Sequence, residues 1–132
     1  MVSRNKEALL RFMDAANSGD LSVIDSLVHP EAVIRTPLPV SGLKDVFVRL
    51  RTAFPDLHVS VEDVIAEGDK VVCRNRVTGT HLGEYMGRAA TGRAVSYEEM
   101  FVIRFVDGLV AETWGVVDVL TQMRQLGFLP TE

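Results

Sequence analysis

Glu99 and Tyr97 are the residues of this chain best suited to move a proton. They stand two positions apart in the β-rich run Val95 to Val106, and alternate residues of a strand point to one face. A carboxyl on an apolar wall loses the hydration that its charged form needs. Its pKa rises toward neutrality, and it becomes able to take or give a proton. A phenol beside it can donate to a carbonyl or enolate oxygen. Glu98 is no partner for Glu99, because adjacent strand residues face opposite ways. The competing reading puts Glu99 on an exposed hairpin rim, where it is merely solvated.

The remaining polar candidates each carry a plainer explanation too. Asn75 is the one polar residue on a strand face shared with Val71, Cys73 and Val77. It can orient a ligand carbonyl or serve as a structural amide. Arg35 follows the first helical region and can meet an acidic substituent at a pocket mouth or simply stay at the surface. Cys73 reads as a buried inert thiol, since no His lies near it in sequence to lower its pKa. His29, His58 and His81 are widely spaced and form no H-x-H or H-x-x-x-H pattern, so no metal is expected. The stretch Gly87 to Ala94 is glycine-rich but lacks the Lys-Ser/Thr pair of a phosphate loop, so it reads as a turn-rich connection.

Around these residues the hydrophobic spacing outlines the elements. Leu9, Phe12, Met13 and Ala16 recur at helical steps after a Ser3 cap. Asp20 is expected to cap a second short helix through Val28, closed by His29-Pro30. A short strand is predicted at Ala32 to Ile34, then an extended lip at Pro37 and Pro39, and then a helix from Leu43 to Phe54. After Pro55 the period changes to two. Strands are predicted from Leu57 to Glu62, from Lys70 to Thr80, from Val95 to Val106 and from Leu109 to Val117.

Asp107-Gly108 joins the last two strands as a hairpin. A three-residue turn would place Phe105 opposite Leu109 and Arg104 diagonal to Glu112. The wall then carries Tyr97, Glu99, Phe101 and Ile103 against Ala111, Thr113, Gly115 and Val117. A closing helix is capped by Asp118 and stopped by Gly127. The class is α+β, with N-terminal helices on one face of a curved antiparallel sheet around a central pocket.

Length and composition bound the partners. A chain of 132 residues that is 47% hydrophobic and 24% charged suits one domain, residues 1–132, with its own core. The net charge of −4 and the scattered cations argue against nucleic acid. No run approaches the roughly 20 apolar residues of a membrane span, and residues 1–6 lack a signal-peptide centre, so a cytoplasmic location is expected. A single cysteine forbids an intrachain disulfide.

Four segments carry a family resemblance: NSGDLSVIDSLVHPEAV early in the chain, GTHLGEYMGRAATGR at Gly79 to Arg93, RFVDGLVAETWGVVD at Arg104 to Asp118, and QLG at Gln125 to Gly127. Together they resemble the SnoaL-like polyketide cyclases, over about Phe12 to Gly127. The resemblance implies a cone of the nuclear transport factor 2-like kind, usually dimeric, enclosing a deep pocket. It also implies cofactor-independent intramolecular aldol chemistry by an Asp acid/base with a nearby His. Carried over, the His position falls on Phe101 and the Asp position on Gly115, and neither side chain exchanges protons. Two prolines common in the family's central loop are here Ala89 and Ala90. His81, in the family-like GTH turn, is expected to tie its loop by hydrogen bonds, with catalysis as the lesser reading.

The function expected is action on a hydrophobic, carbonyl-bearing small molecule by acid/base chemistry, with Glu99 and Tyr97 in place of the family pair. Arg35, Asn75, Phe101, Thr113, Gly115 and His81 are the ligand-binding candidates. Two alternatives stand beside this reading. One is a non-catalytic binder of small apolar ligands. The other is a partner-binding subunit that uses the face bearing Arg74 and Arg76, starting from a homodimer.

Overall fold

The computed structural model describes residues 3–35 and 42–129. Helix α1, Arg4–Ser18, begins where the Ser3 hydroxyl accepts from the Asn5 N–H and ends at Gly19 in the left-handed region, a position that favours glycine. It buries Leu9, Phe12, Met13 and Ala16, the face that the spacing predicts.

The next segment departs from expectation. Asp20 makes no side-chain cap, and two short 3-10 turns, Leu21–Val23 and Asp25–Leu27, replace the second helix. Strand β1 then runs over Val28–Ile34, so His29 and Pro30 lie within a strand. Proline is tolerated there because β1 is an edge strand. The lip expected at Pro37 and Pro39 lies outside the described residues.

Helix α2, Leu43–Ala53, is followed by the strands β2 (His58–Glu67), β3 (Lys70–Thr80), β4 (Ala94–Val106) and β5 (Leu109–Val117), and then by helix α3, Val119–Leu126. The five strands form one sheet in the order β1-β5-β4-β3-β2. Pairs β2–β3, β3–β4 and β4–β5 are antiparallel, whereas β1 joins β5 in parallel. The sheet is therefore mixed, not wholly antiparallel. The β1–β5 pair is not joined by a hairpin, so nothing forces its strands to run in opposite directions.

The β4–β5 turn also differs from the expected one. Val106 pairs with Leu109 and Phe105 with Val110 around a two-residue turn, in which Asp107 (φ 52°) and Gly108 (φ 78°) both have positive φ. This is the geometry that suits the twist of a hairpin. A register shift then accommodates Ala111, so Arg104 lies directly opposite Glu112, with a 3.1 Å ion pair. The pairing slides along the strands, and Thr113, Gly115 and Val117 keep the expected face, opposite Ile103, Phe101 and Glu99, whereas Val110 lines the cavity in the place expected for Ala111.

Side-chain ties fix the helices to the sheet. The Arg51 guanidinium on α2 donates to the carbonyls of Ala16 and Asn17 at the end of α1 and to that of Leu57, a favourable place for a cation. The Asn17 amide bonds both the N–H and the carbonyl of Val59. At the end of α2, the Ala53 carbonyl accepts from the N–H groups of Leu82 and Gly83. Among the described residues no helix is long and apolar enough to cross a membrane.

Candidate functional site

Between the helices and the inner sheet face lies a cavity of about 80 Å³. Phe12 and Met13 come from α1, and Val46, Phe47 and Leu50 from α2. Val77, Tyr97, Glu99, Phe101, Ile103 and Thr113 come from the strands. The sheet alternation selects these strand residues: β3 buries every second residue from Val71 to Gly79, and β4 continues the same face across the ladder. The result is an apolar chamber with few polar groups, the usual composition of a small-molecule site.

Glu99 is the one carboxyl among the described lining residues. Burial pushes its pKa up, and a hydrogen bond from Asn75 opposes that rise. The bond runs from Asn75 Nδ2 to Glu99 Oε1 at 3.1 Å, between residues directly paired across β3 and β4. Asn75 is fully buried, with its Oδ1 lacking a partner among the described residues and its Nδ2 3.6 Å from Cys73 Sγ. It reaches the site through Glu99 and does not line the cavity itself. The Cys73 thiol, pushed up to about 11 by burial, is inert at neutral pH.

Tyr97 follows Glu99 along the same wall. Burial raises its pKa strongly, with Tyr85 and Glu99 adding to the rise and a Gln122 hydrogen bond opposing it. The phenol therefore keeps its proton and is suited to donate a hydrogen bond. Gln122, a buried amide on α3, accepts from the Tyr85 hydroxyl at 3.3 Å.

The other candidates separate. Thr113 is buried and lines the cavity, and its Oγ1 accepts the Arg35 N–H at 3.3 Å. Arg35 borders the cavity, but its guanidinium pairs with Glu112 at 2.6 Å and stands 5.0 Å from the Trp114 ring centroid. That partner holds the cation away from any acidic ligand group. Phe101 is in the wall, and Gly115 opposite it is covered: a Cβ there would meet Phe101 Cε1 at 2.1 Å.

His81 stands outside the cavity lining. It is fully buried, its Nδ1 lies 2.9 Å from Thr91 Oγ1, and its backbone bonds Gly92 and Arg93, so it ties the loop together. Phe54, Tyr85 and Phe128 surround its ring. Among the described residues no three His, Cys, Asp or Glu side chains gather to hold a metal ion. Reasoning from sequence overlooked Gln122; its signal was a polar residue on the apolar side of a short helix.

Comparison with known proteins supplies the lineage. The profile of the SnoaL-like polyketide cyclases matches residues 6–126. The chain belongs to the SnoaL-like polyketide cyclase family. Among its relatives is the aklanonic acid methyl ester cyclase AcmA of Streptomyces galilaeus, 27% identical over 133 residues, a match covering 96% of this chain and 92% of AcmA. Two solved structures share the fold with a TM-score of 0.87. AclR of Streptomyces galilaeus, to which a hydroxylase role has been ascribed, is 35% identical, covering 97% of this chain and 83% of AclR. TsrD of Streptomyces laurentii is 30% identical, covering 98% of this chain and 100% of TsrD.

Proposed function

We propose that this SnoaL-like protein is an acid/base enzyme that takes a proton from the carbon beside a carbonyl of an apolar small molecule, without metal or organic cofactor. The observation that carries the reading is Glu99, a carboxyl with raised pKa facing an apolar cavity. The Glu99 carboxylate accepts the carbon-bound proton, and the electron pair moves onto the carbonyl oxygen. The Tyr97 hydroxyl, one strand repeat away and protonated, donates to the resulting enolate. Asn75 aims the Glu99 carboxylate.

Enolate formation is the first half of an aldol ring closure, and AcmA is named as a cyclase. The resemblance puts the family His and Asp at Phe101 and Gly115, and on that alignment the proton transfer falls to Glu99.

The test is deuterium uptake beside the carbonyl of cyclohex-2-enone in D₂O, followed by NMR. The unmutated protein should accelerate uptake, Glu99→Gln should slow it at least about 100-fold, and Tyr97→Phe about 10-fold. Equal rates in the unmutated protein and Glu99→Gln would remove the proposal.

The second reading is a carrier, favoured by the narrow and largely apolar cavity. Binding without exchange in every variant would establish it. The outer sheet face, with Met100 and Val116 exposed, supports a homodimer as the functional unit. A monomeric mass by light scattering at micromolar concentration would count against that assembly.

A further inference from the structure

The cavity of about 80 Å³ is well below the roughly 300–1,000 Å³ of sites for drug-sized ligands. Phe101 is part of its wall, and one contact fixes where that ring sits. The Phe101 ring edge occupies the place of a side chain at position 115: a Cβ on Gly115 would lie 2.1 Å from Cε1, 2.3 Å from Cδ1 and 2.8 Å from Cζ. The two residues are direct partners in the β4–β5 ladder. Gly115 thus provides a recess, and the ring seated in it walls the cavity two residues along the strand from Glu99.

We infer that Phe101, held in the Gly115 recess, determines which substrates the site accepts and restricts them to compact carbonyl compounds, short-chain or single-ring. The inference rests on the proposed function, since it gives the size class of the molecule that Glu99 attacks. Both residues act through volume alone. Shortening Phe101 should admit larger molecules. A methyl on Gly115 should drive the ring out of its recess and into the cavity.

The experiment measures dissociation constants by calorimetry for cyclohex-2-enone, with one ring, and anthrone, with three. The unmutated protein should bind cyclohexenone at least about 10-fold more tightly than anthrone, and Phe101→Ala should reverse that order. Gly115→Ala should weaken cyclohexenone about 10-fold, while adding Phe101→Ala to it should restore binding, because the evicted ring is gone. Glu99→Gln should keep the unmutated order. If Phe101→Ala fails to fold, Phe101→Leu should narrow the gap between the two ketones.

Equal binding of both ketones by the unmutated protein, or a gap between them that stays unchanged in the Phe101 variants, overturns the size rule alone. Failure of every variant to bind either ketone overturns the size rule together with the proposed function.

Discussion

Glu99 and His81 are both polar side chains set among apolar ones, and their surroundings differ in one respect. Glu99 has a cavity at its side and, among the described residues, a single hydrogen-bond donor, Asn75. His81 has no such space: rings of Phe54 and Phe128 lie 5.6 and 5.8 Å away centroid to centroid. Its Nδ1 accepts from the Thr91 N–H at 3.2 Å, which leaves the ring proton on Nε2, a buried atom with no partner among the described residues. Burial perturbs a polar group wherever it occurs. An open volume beside the group is what allows a reactant to exploit the perturbation.

Removing His81 gives the largest effect expected from this contrast. His81→Ala empties space between three aromatic rings and should cost about 2–4 kcal/mol in urea denaturation, while ketone affinity in the folded protein stays unchanged. A loss of affinity without a loss of stability would erase the distinction between the two residues.

Stability as a function of pH sharpens the comparison from the Glu99 side. The folded state holds the Glu99 proton to higher pH than the unfolded chain does. Between those two pKa values the folded state binds more protons, so this residue makes stability fall as pH rises. Glu99→Gln lacks that ionisation, and its thermal midpoint should gain on the unmutated protein as pH rises above about 4, the range in which the unfolded carboxyl ionises. A constant difference would mean that Glu99 is solvated.

The smallest effect belongs to the opposite sheet face, where charges are paired in water. Arg76 meets Glu98 at 3.2 Å and Glu62 at 3.6 Å, all of them well exposed. Arg76→Ala should change stability by less than about 1 kcal/mol, and that change should shrink in salt.

Sequence periodicity revealed the elements that own their pattern. The alternation in β3 separated Asn75 from Arg74 and Arg76, and the Asp107-Gly108 turn located the β4–β5 hairpin, so the wall bearing Tyr97, Glu99 and Phe101 could be read in advance. The slide in register that places Arg104 opposite Glu112 could not, because Ala111 enters the bulge without a distinctive residue type. Residues 20–28 misled for a related reason. Leu21, Ile24 and Leu27 recur at three-residue steps, which 3-10 turns satisfy as well as an α-helix. The parallel alignment of β1 depends on β5, about 80 residues away by number, and local spacing carries no trace of so distant a partner. The Arg35 pairing with Glu112 was hidden by the same distance.

The fastening at the end of α2 reaches further than its location suggests. The Ala53 carbonyl holds the N–H groups of Leu82 and Gly83, and a Cβ on Gly83 would come within 2.0 Å of the Thr52 carbonyl oxygen. Backbone therefore lies directly on backbone, and only glycine permits the approach. Helix α2 supplies Val46, Phe47 and Leu50 to the chamber. A side chain at position 83 would act as a wedge under the far end of that roof, altering the fit of a ligand from a loop that never touches it.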